Sequence, residues 1–223
     1  VEKILSFKDI SFEREDFRLK DVNFDFYAGD IVGLIGENGA GKTTLFNLIF
    51  KNLIATNGQQ TFLDKDYHDA EKAQMAIILD KNYLPETATV KEIDMIFSRV
   101  FSEWDSDLYF QYLTKYQLPL DKKIASFSQG MKVKLNFAYA FCRKAKLILL
   151  DEATNGMDPV SRHEVLMELQ SYAKNNACTI LLSSHILSDL EKITTRVFYL
   201  KNGQLEEQKQ INHLEELMME GAN

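Results

Sequence analysis

Proline and cysteine are both scarce: three prolines in 223 residues, and only two cysteines, Cys142 and Cys178. With so few prolines and no Gly-, Ser- or Pro-rich tract, no long flexible linker is expected. Two cysteines this far apart have no metal-ligand spacing. They read as small buried apolar side chains in a reducing compartment. No apolar run approaches the ~18 residues that a membrane-crossing helix needs. No basic segment precedes an apolar stretch, so no signal peptide is expected, and the start at Val1 leaves room for an initiator methionine or a short leader. Positive charge is also short. Lys and Arg number 26 against 33 Asp and Glu, a net charge of −7. That speaks against nonspecific nucleic-acid binding, which needs clustered cations to displace counterions. There are no internal repeats and no sustained heptads. The remainder, 45% hydrophobic and 26% charged, suits a globular chain of one domain, or one domain with a subdomain.

The octet Gly36-Glu37-Asn38-Gly39-Ala40-Gly41-Lys42-Thr43 fits G-x-x-x-x-G-K-[ST]. Average residue frequencies produce such a match in a chain this long with odds on the order of 1%. Its context also fits: Asp30–Ile35 reads as a buried strand and Thr44–Phe50 as a helix. The glycines let backbone N–H groups turn inward around a polyphosphate, and the helix N-terminus adds partial positive charge. Lys42 is expected to reach the β- and γ-phosphates, and Thr43 to hold Mg²⁺ through its hydroxyl. Gly36 to Thr44 are the candidate nucleotide contacts.

Strands are expected at Ile4–Ile10 and Val22–Phe26, around an irregular charged segment at Glu13–Asp16, and then at Ile31–Ile35, Thr61–Leu63 and Ala76–Leu79. From Val90 to Phe141 apolar residues recur at helical spacing, as in Ile93, Ile96, Phe97 and Val100. The pattern predicts a helical subdomain, roughly residues 82–135, inserted into a core of residues 1–81 and 136–223. Strand character returns at Leu147–Leu150, followed by a helix at Pro159–Lys174. A strand at Cys178–Ser183, a helix at Ser188–Ile193 and a strand at Arg196–Leu200 come next. Asn202-Gly203 predicts a hairpin turn, and Asn212–Glu220 a short closing helix.

Leu147-Ile148-Leu149-Leu150-Asp151-Glu152 is an apolar strand ending in two carboxylates. Alone, they read equally well as solvated acids at a strand end. With Lys42 upstream, Asp151 is a candidate Mg²⁺ ligand, and Glu152 is placed to orient and polarise an attacking water. Ser128 and Gly130 precede a helical run, Lys132–Cys142. A hydroxyl, a glycine backbone and a helix N-terminus together make a second anion site.

In this segment the sequence resembles the ATP-binding cassette (ABC) family. Phe127-Ser128-Gln129-Gly130-Met131 is similar to the family's LSGGQ signature, in the Ser-x-Gly-Met-Lys form common among exporters. Asn155-Gly156-Met157-Asp158-Pro159 stands where the D-loop belongs, and Ser183-Ser184-His185 resembles the switch-histidine segment. Taken alone, His185 reads as an ordinary partly buried histidine, and Asp158 as a helix cap before Pro159.

The resemblance implies an α/β fold. Its P-loop, RecA-like core has a mixed sheet with flanking helices, an antiparallel β region at the N-terminus and the inserted helical subdomain. It implies an ATPase using ATP and Mg²⁺, with Glu152, His185 and Lys42 catalytic. Two such subunits, identical or paralogous, would pair head to tail, so that the segment from Phe127 to Met131 acts on the partner's ATP and Asp158 organises the interface. A separate membrane-spanning subunit would be the other partner, with no nucleic acid and a location on the cytoplasmic face of the membrane. Three departures stand out. Asp80 replaces the glutamine expected between core and helical subdomain; it is kept as a candidate Mg²⁺ ligand and predicts altered hydrolysis. Ala153 stands where proline is common. The adenine-stacking aromatic, expected near Glu13 or Arg14, is not obvious, and Phe12, Arg14 and Phe17 are the candidates.

Phe101-Ser102-Glu103-Trp104-Asp105, together with the signature and the D-loop, resembles small bacterial ABC-2-type exporters, nearest a subgroup linked to envelope stress and membrane-active peptides. Residues 80–105, with Tyr83, Leu84 and Pro85, are expected to receive the membrane subunit, where an exposed apolar patch would be diagnostic. Trp104 reads as core packing. The alternatives are a soluble ABC ATPase acting on a non-transport complex, and a regulator that binds ATP without turnover.

Overall fold

A computed structural model describes residues 1–14, 17–79 and 84–208. Alternating apolar and polar residues near the N-terminus build a long hairpin, β1 (Lys3–Arg14) and β2 (Phe17–Tyr27). Then come β3 (Ile31–Ile35), α1 (Lys42–Ile49), β4 (Asn57–Phe62), β5 (Lys65–Asp66), a 3₁₀ turn over Asp69–Gln74 and β6 (Met75–Ile78). Next are α2 (Val90–Val100), α3 (Ser106–Lys115) and α4 (Gln129–Cys142). The last described elements are β7 (Leu147–Asp151), α5 (Pro159–Asn176), β8 (Thr179–Ser183), α6 (Leu187–Ile193), β9 (Arg196–Lys201) and β10 (Gln204–Gln208).

The strands form two sheets. One is antiparallel, in the order β2-β1-β4-β5; the other runs β10-β9-β3-β8-β7-β6 and is parallel except for β10 at its edge. β3 and β8 are buried at every residue, as expected of central parallel strands covered on both faces. Period-two alternation divides β7 between two cores. Ile148 and Leu150 join Phe137, Phe141, Val165 and Leu169 under α4 and α5. Leu147 and Leu149 join Phe7, Phe26, Leu45 and Phe46 between the sheets and α1. A third cluster lies in the helical layer, around Val90, Ile93, Tyr109, Leu113 and Ile124. α4 serves two of these cores, with Phe137 and Phe141 in the first and Leu135, Ala138 and Cys142 in the third. Lys115 Nζ on α3 donates to both carboxylate oxygens of Glu168 on α5, at 2.7 and 2.6 Å, and ties the helical layer to the core.

The α/β expectation holds, and the expected strands and helices within the described residues lie near their expected positions, but Glu13 and Arg14, expected in an irregular segment, instead end β1, paired with Arg18 and Phe17 of β2. Asn202 and Gly203 turn β9 into β10 at φ 51° and 73°, the paired positive values that the dipeptide signals. Helix α4 starts at Gln129, not Lys132, because Ser128 Oγ caps it by accepting the Met131 N–H at 3.3 Å. Cys142 and Cys178 are buried free thiols, and burial pushes both above the ordinary thiol range. No helix among the described residues is long and apolar enough to cross a membrane. The closing helix expected at Asn212–Glu220, Glu15 and Asp16 of the charged segment, and Asp80 and Tyr83 lie outside the described residues.

Candidate active site

Because β3, β8 and β7 are parallel neighbours, their C-terminal ends lie side by side, where open α/β sheets bind ligands. β3 ends in the glycine-rich loop. Gly36 has φ 157°, and a side chain there would collide with the Leu200 carbonyl. Gly41 has φ 107°, and a side chain would run into the Phe17 ring. The loop therefore closes tightly over the start of α1, with Glu37, Asn38 and Gly39 exposed and Ala40 and Thr44 partly covered. Lys42, only 9% exposed, donates from Nζ to the carbonyls of Gly36 (2.7 Å) and Glu37 (3.0 Å). Burial pushes its ammonium below the usual lysine range, and the charges of Glu152 and Asp151 pull it partly back. Loop and carboxylates thus share one electrostatic field.

The ends of β7 and β8 join that field through hydrogen bonds. Thr43 Oγ1 donates to Asp151 Oδ2 at 2.9 Å, and Ser183 Oγ donates to Asp151 Oδ1 at 2.7 Å. The Glu152 N–H donates to Ser183 Oγ at 3.1 Å. Glu152 has φ 53°, a left-handed value that costs energy for a residue with a side chain and marks a constrained position. Asn155 Nδ2 donates to its Oε2 at 2.9 Å, and His185 Nε2 lies 2.6 Å from Oε1. A half-buried carboxylate is thus gripped from two sides and aimed past the strand end. Ser183 and Asn155 carry no assigned role in the motif reading. Their signal was present in the sequence, as a hydroxyl closing the neighbouring strand and an amide three residues after Glu152.

The signature residues divide by exposure. Phe127 is buried among the helical-layer residues, and Met131 packs against the same cluster. Both anchor the segment, whereas Ser128 and Gln129 are exposed and a Cβ at Gly130 would meet nothing. The Gln129 side chain lies beside Gly156, which brings signature and D-loop segments together within the chain. Asp158 caps α5, accepting the N–H groups of Val160 (3.1 Å) and Ser161 (3.0 Å) ahead of Pro159. These hydrogen bonds, that of Ser161 foremost, hold its carboxyl below the usual aspartate range.

A cleft of about 400 Å³ opens beside the glycine-rich loop, lined by Phe17, Arg18, Glu37, Asn38, Gly39 and the β9–β10 turn. Of the three stacking candidates, Phe12 is 8% exposed and packed in the core, and Arg14 pairs across the hairpin with Phe17. Phe17 alone of the three lines the cleft.

The family model described as "ABC transporter" matches residues 19–155. The chain is 32% identical over 200 residues to the ABC transporter ATP-binding protein YtrB of Bacillus subtilis (strain 168), covering 89% of this chain and 68% of that protein. It is 30% identical over 198 residues to the bacitracin transport ATP-binding protein BcrA of Bacillus licheniformis, covering 86% of this chain and 65% of that protein. It thus spans about two thirds of the length of these relatives. A solved ATP-binding subunit of an ABC transporter superposes with a TM-score of 0.88 at 27% identity, covering 99% of this chain and all of that one.

Proposed function

The chain belongs to the ABC transporter family as an ATP-binding, ATP-hydrolysing subunit, and from that premise we propose that it powers an exporter by closing head to tail on a second ATPase subunit, identical or paralogous. The observation that carries this reading is the continuous network Thr43–Asp151–Ser183–Glu152–His185. It links the phosphate loop to a constrained carboxylate able to accept a proton from water. Lys42 and the loop N–H groups hold the β- and γ-phosphates, and Phe17 stacks on the base. Among the described residues no three His, Cys, Asp or Glu side chains gather as a metal cluster. Thr43 Oγ1 and Asp151 Oδ2 do supply the hard oxygens that Mg²⁺ prefers, and these two residues would hold the ion beside the phosphates. When bound, Mg²⁺ offsets phosphate charge.

Glu152 orients the water, while His185 and Asn155 fix its carboxylate. Ser128 and Gly130 face the partner's nucleotide, and Asp158 stiffens the contact between copies. The γ-phosphate is then contacted from both subunits, so ATP favours the closed pair and hydrolysis releases it.

The family works with membrane subunits, and α2 has the surface to receive one. Met95 (53%), Ile96 (45%) and Val100 (64%) are exposed apolar residues. Phe97 of the same helix lines a cleft of about 340 Å³ together with Asn52, Ile77, Leu79 and Tyr139. Leu84 points into the helical core at the cleft edge, and Pro85 is exposed. This reading makes residues 80–105 the receiving surface, mostly within the inserted helical subdomain 82–135, puts the chain on the cytoplasmic face of the membrane and assigns no nucleic-acid partner. Likeness to a bacitracin transport protein supports membrane-active peptides as the cargo class.

Affinity capture from native membranes, with ATPase rates on the eluate, tests the reading. A co-purifying multi-span protein and turnover abolished by Glu152→Gln are expected. Recovery of ribosomes or soluble complexes, with the same turnover, would overturn the exporter reading.

A further inference from the structure

A second cavity, of about 380 Å³, lies at the N-terminal ends of β6 and β7, the opposite edge of the parallel strands from Asp151 and Glu152. Gln74, Phe101, Glu103, Arg143, Lys144 and Lys146 are among its walls. Arg143 is 6% exposed. Its guanidinium lies 4.1 Å from the Phe101 ring centroid and 5.5 Å from that of Tyr139. It donates to Tyr139 Oη (2.8 Å) and to the carbonyls of Lys72 (3.3 Å) and Ala73 (3.2 Å). Its Nε–H has no acceptor, and among the described residues no carboxylate pairs with it. A fixed, buried cation without a counter-ion is costly unless something supplies the missing charge.

Its neighbours add to the positive charge. Lys144 shares Asp105 at 3.3 Å and is half-exposed. Lys146 is half-buried and has no ion pair among the described residues. Against these cations the wall carries a single carboxylate, exposed Glu103. A cationic pocket in a chain of net charge −7 is not a by-product of composition.

We propose that this cavity binds one phosphate-type oxyanion, held directly by the ammonium groups of Lys146 and Lys144 with Arg143 as the fixed charge behind them. The same chemistry is offered by two sources, a soluble phosphate or phosphoester and the headgroup of an anionic phospholipid. Arg143 already pins the 3₁₀ turn before β6 to the end of α4, so its removal would confound folding with binding. Lys146 and Glu103 are the positions to change.

Trp104, the only tryptophan, lies 6.1 Å from Tyr139 between ring centroids and reports on this aromatic cluster. The first arm titrates inorganic phosphate at constant ionic strength while following Trp104 fluorescence, with saturating ADP filling the phosphate loop. The second arm floats the ADP-bound protein with phosphatidylglycerol vesicles, against phosphatidylcholine. In the arm that matches the source, Lys146→Gln is expected to weaken binding about tenfold or more, as loss of a charge-assisted contact does. Glu103→Gln is expected to strengthen it. ADP affinity and far-UV circular dichroism should not change. Lys174→Gln, at an exposed site on α5, controls for net charge and is expected to behave as wild type. A Lys146-dependent response to free phosphate identifies the soluble source; one seen only on vesicles identifies the headgroup. Equal behaviour of wild type and Lys146→Gln in both arms, an equal loss in Lys174→Gln, or a response that chloride reproduces would overturn the proposal.

Discussion

Ser183 is 3% exposed, yet its hydroxyl bridges the two acids, donating to Asp151 and accepting the Glu152 N–H. Ser183→Ala leaves that N–H short of one partner and Asp151 short of a donor. A loss of about 1.5–3 kcal/mol is expected, that of a hydrogen bond to a charged group, read as a lower urea midpoint at unchanged m. His185→Ala frees one oxygen of Glu152. Its turnover is expected to fall about 10²-fold or more, with nucleotide affinity held within a few-fold, in a steady-state ATPase assay. Asp80→Gln restores the side chain that the resemblance expects, and is expected to raise the rate in the same assay. Lys42, Asp151 and Glu152 were legible as motif positions because phosphate and water chemistry restrict residue type and spacing, whereas His185 was reached only through the family resemblance. The roles of Ser183 and Asn155 were less so. They depend on how two strand ends meet, and the pairing of Asp151 with Ser183 is a fact of sheet order.

At the scale of elements, caps and turns were the most readable features. Asp158 before Pro159 marked the start of α5, and Asn-Gly marked the β9–β10 turn. Strand β5 carries no apolar signal and β10 only Leu205, being Lys-Asp and Gln-Leu-Glu-Glu-Gln at sheet edges, where charge suits an exposed strand. Only their pairing with β4 and β9 defines them. The Asp158 cap also titrates. Its folded pKa is depressed, so the stabilisation is complete above the unfolded value of about 3.9 and is lost as pH falls through the folded value. Asp158→Asn keeps the cap without the charge. The Tm difference between wild type and Asp158→Asn should be constant above about pH 5 and change in the variant's favour below about pH 4, as followed by thermal melts across pH.

For the whole molecule, the distribution of functional groups supports the proposed pairing of two subunits. The carboxylate–histidine network is built within the chain, whereas exposed Ser128 and Gln129 sit at a helix start held against Gly156 by the chain's own packing. Composition and charge gave no hint of such a pairing, which was reached only through the family resemblance. Exposure of Met95, Ile96 and Val100 on α2 leaves a face for a different partner, away from the phosphate loop in sequence and carried by the helical layer. Phe17 is the proposed stacking residue because Phe12 lies in the core while Phe17 lines the cleft beside the phosphate loop.

The central claim is that the Glu152 network hydrolyses ATP held between two subunits. The most direct measurement is light scattering on the Glu152→Gln protein with Mg²⁺ and ATP, alongside phosphate release. The expected result is a doubling of mass on adding ATP, reversal with ADP, and no phosphate release above background. A protein that stays monomeric with ATP bound, or that turns over at the wild-type rate, would contradict it.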